Sequence, residues 1–531
     1  MDTTTVPEKD AVAAIDLLLT IGYIDGRLHE GEKALIRQYL DQLVRLAPGS
    51  APGIDAAYAK LDAEIAGLAQ EVVASGDQRY TQTKLKVRAV SLFRSFSPGN
   101  QEVALALMNA VIHADGTVSE HERELHDELL HYFHGIPSLP PHEAAAAACP
   151  PEMLRVEAVR TLPLPATGHP ALDAIEHPYA DDPAALHAQF TGDYNLIFQA
   201  ITIWEQQRAL GNGRLFGITG IEQLPRGTRL LDGHVYALRP SRPTELIVLG
   251  DLHGCYGCLK AAVLQSSFIE RASRRRVDPS SPDVKLVLLG DYLDRGRFGF
   301  EGVLRGALHL LAMFPDDVIV LRGNHEYLVR AGDHICSAVS PAESVPQIAP
   351  RTPPGILEAY RHLFEHMPTA LIFDRTLFVH GGIPRDDTME ERYKDLSSLG
   401  DKVMRFEMLW SDPEHTDTVP LELQRATPRF SFGHDQFRKF MTRIGCHTMV
   451  RGHEQVDGGF ATTFDLGQHQ LHTLFSAGGR DNPDLPAESR YRKVTPMALT
   501  VAWEAEDRVT ATPWPIDYAP FANPAHNGLH R

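Results

Sequence analysis

Five short blocks in the second half of the chain carry residue types that bind divalent metal ions. They are GDLHG at Gly250–Gly254, GDYLDRG at Gly290–Gly296, GNHE at Gly323–Glu326, HGG at His380–Gly382 and RGHE at Arg451–Glu454. Most of them follow an apolar run that predicts a buried strand. Each candidate ligand would then lie just past the carboxyl end of a strand, where loops gather around a site. Five such blocks in order predict a dinuclear centre for phosphate-ester hydrolysis.

A centre of this kind needs hard oxygen ligands, some imidazoles and one carboxylate that contacts both ions. We predict that Asp251 and His253 hold the first metal and that Asp291 bridges the two. The predicted remaining ligands of the second metal are Asn324, His380 and His453. The ions would lower the pKa of a bridging water, and the resulting hydroxide would attack phosphorus in line, without a phosphoenzyme.

Residues beside these ligands could supply acid–base chemistry. The leaving oxygen needs a proton, and His325 is placed to give it because it follows Asn324 in the chain. Asp294 could orient the imidazole of His325. Arg295 carries a planar, permanently charged guanidinium that suits the phosphoryl oxygens. We therefore predict His325 and Asp294 as the acid–base pair, with Arg295 and Asn324 contacting the phosphate.

The blocks resemble the PPP family of serine/threonine phosphatases, within the calcineurin-like metallophosphoesterases. GDYLDRG and GNHE are close matches, the spacings are similar, and LWSDP at Leu409–Pro413 is a further shared block. The resemblance covers roughly Leu246–Leu474. It implies an α+β fold, an αββα sandwich of two mixed sheets flanked by helices, with the metals at one end. It also implies two divalent ions, Mn²⁺ in vitro or Fe and Zn in cells.

The sequence departs from the family pattern at the substrate side of the site. The family's second phosphate-binding arginine lies in a block that is shortened here to QRATPRFSFG, so we predict Arg429 in that role, with Arg425 as the alternative. Eukaryotic members carry a tyrosine over the site, whereas Phe475–Pro483 contains none. This predicts a different lid. The basic run Arg271–Arg276 is predicted to be a solvated loop, with attraction of an acidic phosphopeptide as the alternative.

The 531 residues exceed one typical domain. The string D-G-x-apolar-x-x-x-E occurs at Asp25 and again at Asp115, which indicates repeated helix–turn–helix units rather than EF-hand loops. This repeat resembles the helical TerB-like domain of tellurite-resistance proteins and implies a docking or regulatory module ahead of the sandwich. The predicted segments are an all-helical bundle at 1–135, a Pro- and Ala-rich linker at 136–190, a helix (Tyr194–Ala209) and strands packing on the catalytic domain at 191–240, the catalytic domain at 241–512 and a tail at 513–531.

Composition limits the other classes of function. The net charge of −18 argues against general affinity for nucleic acid. No apolar run is long enough to predict a membrane span, and the N-terminus lacks the pattern of a secretory signal. Five cysteines do not suggest a disulfide scaffold, so a reducing cytoplasm is expected. Cys255 and Cys258 form a C-x-x-C that we interpret as helix packing, with redox control as the alternative.

The leading hypothesis is a cytoplasmic, metal-dependent phosphatase acting on phosphoserine and phosphothreonine of proteins, with the helical domain binding a protein partner. An alternative of the same mechanism is hydrolysis of a dinucleoside polyphosphate or another nucleotide. An alternative of another class is a phosphate-binding interaction module without catalysis. The full set of ligands together with His325 and Asp294 argues against that last reading.

Overall fold

The computed structural model describes residues 154–531, apart from 332–333 and 506–507, together with ten N-terminal residues that are all helical. The chain divides into two units, Met1–Ala147 and Ala148–Arg531. The predicted repeat, the TerB-like resemblance and the predicted linker up to residue 153 lie outside the described residues. The fold below is that of the second unit.

Seventeen strands and eleven helices are described in this unit. The strands are β1 (Arg155–Val156), β2 (Arg229–Asp232), β3 (Val235–Leu238), β4 (Thr244–Leu249), β5 (Asp283–Leu288), β6 (Val318–Val320), β7 (Leu328–Ala331), β8 (His334–Ser337), β9 (Ala370–Phe373), β10 (Thr376–Val379), β11 (Asp412–Pro413), β12 (Ser431–Phe432), β13 (Thr448–Arg451), β14 (Phe460–Asp465), β15 (Gln470–Leu474), β16 (Met497–Ala505) and β17 (Arg508–Pro515). The helices are α1 (Pro170–Asp173), α2 (Pro183–Gly211), α3 (Tyr256–Gln265), α4 (Phe268–Val277), α5 (Arg305–Met313), α6 (Ser344–Ile348), α7 (Ile356–His366), α8 (Asp386–Arg392), α9 (Lys402–Trp410), α10 (Leu421–Arg425) and α11 (His434–Arg443).

Two mixed sheets form the framework. The first has the strand order β1-β17-β16-β4-β5-β6, with β4, β5 and β6 parallel. The second has the order β14-β15-β13-β10-β9-β3-β2, with β10, β13 and β15 parallel. One buried apolar cluster contains residues of both sheets, so the sheets pack face to face. The predicted sandwich of mixed sheets with flanking helices is confirmed for this unit.

The inner strands of the second sheet, β3, β9, β10 and β13, are buried along their whole length, which explains their largely apolar sequences. In β9, Leu371 and Phe373 belong to the cluster between the sheets, whereas Ala370 and Ile372 belong to a second cluster. That second cluster contains side chains of α8, α9 and α11, including Phe437. Alternate residues of a strand point to opposite faces, so each strand is held between the facing sheet and the outer helices.

Helix α2 begins earlier than the predicted Tyr194–Ala209 because Asp182 and Pro183 form a start signal. The Asp182 carboxylate accepts a hydrogen bond from Ala185 N at 2.8 Å, and Pro183 occupies the first turn, where its missing N–H costs nothing. The helix ends at Gly211, where an added Cβ would lie 2.2 Å from the Leu231 carbonyl oxygen. Trp204 on the buried face is fully covered and anchors the helix on the sandwich.

Segments predicted as a linker and a tail are packed parts of the same unit. From Leu154 onward, the predicted linker supplies β1, which pairs with β17. Its Leu172 is fully buried. At the other end, Phe521 and Leu529 are buried, and Gly528 N donates to the Glu176 carboxylate at 2.8 Å. Residues 136–190 were predicted as a linker because their composition is rich in proline and alanine, which does not reveal where single apolar residues pack.

His472 on β15 gives the fold a predicted sensitivity to acid. It is fully buried, and burial lowers its pKa to about 4. Its ring stacks near Phe460, and its Nδ1 lies 3.1 Å from the Thr462 hydroxyl. In the unfolded chain His472 binds a proton near the ordinary histidine pKa, whereas in the folded protein it binds one only near pH 4. Above the ordinary pKa, the neutral ring therefore costs the folded state no stability. Stability is lost as the pH falls toward 4, by up to about 3 kcal/mol.

The measurement is urea unfolding of the wild type and of His472→Gln at a series of pH values between 7 and 4. The variant cannot gain the proton, so its free energy of unfolding should fall less steeply in this range. Equal slopes for the two proteins would contradict the prediction.

Candidate active site

The parallel strands bring the predicted ligands to one end of the sandwich. Asp251 follows β4, Asp291 follows β5 and Asn324 follows β6, so all three lie at the carboxyl edge of the first sheet. His380 follows β10 and His453 follows β13 at the corresponding edge of the second sheet. All five side chains are buried. The fold therefore gathers residues that are as much as 202 positions apart in the chain.

The loops that present these residues are conformationally strained. Seven non-glycine residues of the described chain have a left-handed backbone, and five of them lie at the site. They are His253, Asp291, Asp294, Arg295 and His453, with φ between 41° and 69°. Such backbone costs free energy in residues with a Cβ and persists where the surroundings hold it. Gly323, in the loop after β6, packs closely on the Asp291 loop, because an added Cβ would lie 2.3 Å from Asp291 N.

Two groups of possible metal ligands share one carboxylate. Asp291, His253 and His325 form the first group, and Asp291, His380 and His453 form the second. Asp291 Oδ2 lies 3.5 Å from His253 Nε2, while Asp291 Oδ1 lies 3.2 Å from His380 Nε2. One oxygen thus faces each group, which is the arrangement expected of a bridging carboxylate.

Asp251 lies beside both groups. Its Oδ2 is 3.7 Å from His253 Nε2, and its Oδ1 accepts a hydrogen bond from the backbone N–H of His453 at 2.9 Å. Burial raises the pKa of Asp251 to about 7, and burial together with the charge of Asp251 raises the pKa of Asp291. Asp251 and Asp291 are thus two buried carboxylates beside the same histidine. They favour a bound cation, since a cation would offset the cost of their charges.

The histidines are oriented so that one ring nitrogen faces the centre. His253 Nδ1 lies 2.9 Å from the Leu293 carbonyl oxygen, and His380 Nδ1 lies 3.1 Å from that of Leu289. A carbonyl only accepts, so each Nδ1 carries a proton and each Nε2 keeps its lone pair for a ligand. Burial lowers the pKa of both imidazoles, which keeps them neutral.

The amide of Asn324 tests whether this set suits a metal ion. Its oxygen faces four acceptors: His380 Nε2 at 2.9 Å, His453 Nδ1 at 3.1 Å, and the two Asp291 oxygens at 3.1 and 3.3 Å. Without a cation, the opposite orientation of the amide would satisfy these atoms better. With a cation among them, the oxygen is correctly directed. The donor set of carboxylates, imidazoles and an amide oxygen therefore fits divalent metal ions.

His325 and Asp294 form a close pair at the rim of the centre. His325 Nδ1 lies 2.6 Å from Asp294 Oδ2, and His325 Nε2 lies 3.8 Å from Asp291 Oδ2. The other Asp294 oxygen accepts N–H bonds from Glu343 and Ser344 at 2.9 and 2.7 Å. Burial alone would raise the pKa of Asp294, but the bond with His325 and these N–H bonds lower it to about 2. The fixed charge can therefore orient the imidazole.

Two of the predicted arginines line the cavity over the centre, and one does not. Arg295 and Arg429 both line it, together with His325 and His453. The alternative, Arg425, lies outside this lining and pairs with Asp387 at 2.6 Å.

Sequence reasoning gave no role to four residues that line the cavity, which are Glu454, Gln455, Arg490 and Tyr491. Arg490 and Tyr491 belong to a short 3₁₀ helix, Arg490–Lys493. The Tyr491 ring stacks on that of His253 with centroids 5.2 Å apart. Phe475–Pro483 indeed holds no tyrosine, but Tyr491, further along the chain, reaches the site. No motif in the sequence marks it, because the contact depends on an irregular loop.

Glu326 is another residue whose role emerges only from the structure. It is fully buried, its Oε2 accepts the N–H of Asp291 at 2.8 Å and of Gly323 at 3.0 Å, and its Oε1 accepts that of Tyr292 at 2.9 Å. These bonds fix the turn that carries the shared carboxylate. Glu326 is the last residue of the GNHE block, in which sequence reasoning assigned roles only to Asn324 and His325.

We expect Glu326→Gln to destabilise the fold by about 1–3 kcal/mol, because an amide would direct N–H groups at N–H donors. The measurement is denaturant unfolding of the metal-free protein. The control is Glu358→Gln, which removes an exposed ion pair with Arg330 and Arg361 and should change stability much less. An equal effect of the two substitutions would contradict the assigned role.

Two other predictions concern the flanks of the site. The run Arg271–Arg276 lies in helix α4 rather than in a loop, and Arg271 pairs with Glu245 at 2.6 Å. Cys255 and Cys258 are both fully buried at the start of α3, and burial raises the pKa of Cys255. A buried thiol with a raised pKa is a poor nucleophile, so this C-x-x-C favours the packing interpretation.

Part of the chain is similar in sequence to known phosphoesterases. Residues 244–457 match the family model of calcineurin-like phosphoesterases. A protein of Encephalitozoon cuniculi named as a probable serine/threonine-protein phosphatase is 26% identical over 282 residues, which are 52% of this chain and 56% of that protein. A serine/threonine-protein phosphatase of Caenorhabditis elegans is 28% identical over 236 residues, 43% of this chain and 46% of that protein. The chain spans about half the length of the curated relatives it matches.

Two solved structures are similar at low identity. A Saccharomyces cerevisiae protein serine/threonine phosphatase aligns with a TM-score of 0.41 and 18% identity, covering 61% of this chain and 89% of that one. A cold-active protein-tyrosine phosphatase of a Shewanella species aligns with a TM-score of 0.32 and 15% identity, covering 52% and 82%. In the described residues, no helix is long and apolar enough to cross a membrane.

The site and the family match coincide. The matched range begins at the first residue of β4 and ends after His453, so it contains every predicted metal ligand. The part of this chain from 244 to 457 is a calcineurin-like metallophosphoesterase domain.

Proposed function

We propose that this chain hydrolyses phosphate monoesters of serine and threonine in proteins, using two divalent metal ions. The observation that carries the proposal is the His325–Asp294 pair, 2.6 Å apart, beside a carboxylate shared by two ligand groups. A phosphate-binding module without catalysis has no need for a buried, charge-oriented imidazole next to its centre. The two curated relatives, both named as serine/threonine-protein phosphatases, support the choice of substrate class.

The proposed ligands are the predicted ones, with Asp291 common to both ions. When bound, the ions supply Lewis acidity and a water of lowered pKa. We propose Mn²⁺ in vitro and Fe with Zn in cells. The protein itself supplies the geometry: neutral imidazoles, an amide oxygen directed inward, and a carboxylate with one oxygen toward each group.

The other residues act on the substrate. Asp294 holds Nδ1 of His325, so a second proton on Nε2 points toward the centre and can pass to the leaving serine or threonine oxygen. Arg295 and Arg429 line the cavity and are the proposed contacts of the phosphoryl oxygens, with Asn324 beneath them.

The test is Mn²⁺-dependent phosphate release from a panel of phosphoserine and phosphothreonine peptides, run beside diadenosine tetraphosphate under identical conditions. We expect kcat/KM for the better peptides to exceed that for the dinucleotide by at least about tenfold, or 1.4 kcal/mol of transition-state preference. A preference for the dinucleotide would show that nucleotides, rather than phosphoproteins, are the substrate class. Absence of turnover with any substrate would overturn the proposal.

A further inference from the structure

Three arginines line the cavity over the centre, and they differ in their partners. Arg295 is held by Glu343 at 2.8 Å, and Arg429 is held by Asp412 at 2.6 Å. Arg490 has no carboxylate within 4.0 Å among the residues that the structure describes. Glu454 also lines the cavity, but it pairs with Arg451 at 2.6 Å, so the charge of Arg490 is not paired with a carboxylate.

The short helix that carries Arg490 is firmly anchored by its neighbours. Arg492 donates to the carbonyl oxygens of Arg480, Leu485 and Pro486 at 2.6, 2.7 and 2.8 Å. Tyr491 is buried between His253 and Phe475. In contrast, Arg490 is exposed, and its guanidinium lies 5.5 Å from the Tyr491 ring centroid. Tyr491 is its side-chain partner. A preorganised backbone that presents a cation without a paired carboxylate suits recognition of a second anion.

We propose that Arg490 selects phosphopeptides that carry an acidic side chain next to the phosphorylated residue. This inference rests on the proposed function and names its substrate preference. Arg295, Arg429 and the metal centre are the proposed partners of the transferred phosphate, so Arg490 at the rim is left for a neighbouring carboxylate. The Arg490 guanidinium would attract the peptide carboxylate by its charge and donate N–H hydrogen bonds to it. At an exposed position, such an ion pair has a modest but measurable effect on binding.

The cavity favours a peptide over a nucleotide as the source of that second charge. Its lining is polar, and apart from histidines Tyr491 is its one aromatic residue among those described. One face of the Tyr491 ring is covered by His253, and its edge meets Phe475. Tyr491 is only 6% exposed, so little of its ring is available for stacking by a nucleobase, whereas a peptide carboxylate needs only the exposed guanidinium.

The test compares two phosphoserine peptides that differ only in Glu or Gln beside the phosphorylated residue. For the wild type we expect about a fivefold higher kcat/KM with Glu, carried mainly by KM and reduced at high salt. Arg490→Gln should bring this ratio to about one. The matched control is Lys493→Gln, which removes an exposed charge from the same helix but outside the cavity and should keep the ratio.

Each outcome decides the inference. A ratio near one in Arg490→Gln, with the ratio retained in Lys493→Gln, supports it. An equal loss of activity on both peptides in Arg490→Gln, with the ratio kept, would show a structural role and overturn it. Adenosine diphosphate tests a phosphate as the source of the second charge. If Arg490→Gln lowered kcat/KM for adenosine diphosphate more than for the Glu peptide, the choice of a peptide would be overturned. Failure of the proposed function is separate, because wild-type protein would then release phosphate from neither peptide.

Discussion

Replacing Asp291 by Asn should abolish metal-dependent turnover, with a loss in kcat of about 10³-fold or more. Asp291 is the one residue common to both ligand groups found in the described chain. Its two oxygens face His253 Nε2 and His380 Nε2 separately, at 3.5 and 3.2 Å. An amide would keep the shape but remove the charge and one acceptor. At least one ion would then lose its principal anionic ligand.

This loss should not result from unfolding. Burial and the neighbouring Asp251 raise the pKa of Asp291, which means that its charge is costly in the metal-free fold. Removing that charge should leave the metal-free variant at least as stable as the wild type. The experiment therefore combines three measurements on each protein: denaturant unfolding without metal, bound Mn²⁺ per chain by equilibrium dialysis, and phosphate release from a phosphoserine peptide.

The matched control is Asp278→Asn, which removes an exposed carboxylate at the end of α4 that does not line the cavity over the centre. It should retain two ions and full turnover. If Asp291→Asn also retained two ions and wild-type turnover, the shared-carboxylate arrangement would be wrong.

The meeting of the candidate metal ligands was predictable because their signal is local. Each ligand follows an apolar run that becomes a strand, and glycine beside it permits a tight turn at the strand end. The parallel pairing of β4, β5 and β6 then places Asp251, Asp291 and Asn324 at one edge. Sequence order and strand direction together were enough to predict that these residues meet.

The substrate side was not predictable in the same way. Tyr491 reaches His253 from a short helix that follows an irregular stretch, and no spacing rule connects the two residues. The role of Glu326 as acceptor of four backbone N–H groups depends on the shape of the surrounding loops rather than on residue type. Likewise, composition predicted a linker where Leu154 and Leu172 are buried, because single buried residues leave no periodic pattern.

His325→Ala should lower kcat for phosphoserine peptides by about 10²–10⁴-fold, the range typical of a general acid. The alkoxide that leaves from serine is a strong base and needs the proton. The phenolate that leaves from p-nitrophenyl phosphate needs far less help, so the same variant should lose much less activity with that substrate. Asp294→Asn should lower kcat in the same direction, because it weakens the 2.6 Å contact that orients the ring.

The comparison of leaving groups decides between two roles that the geometry allows for His325. Its imidazole lies within the first ligand group, with Asp291 and His253, as well as beside Asp294. A metal ligand would affect both substrates alike and would reduce the bound Mn²⁺ per chain. A general acid affects the poor leaving group selectively and leaves metal binding near two ions. The double variant with Asp294→Asn should add little to His325→Ala, since Asp294 acts only through the imidazole that His325→Ala removes. Equal losses on both substrates, with fewer ions bound, would move His325 from proton donor to ligand.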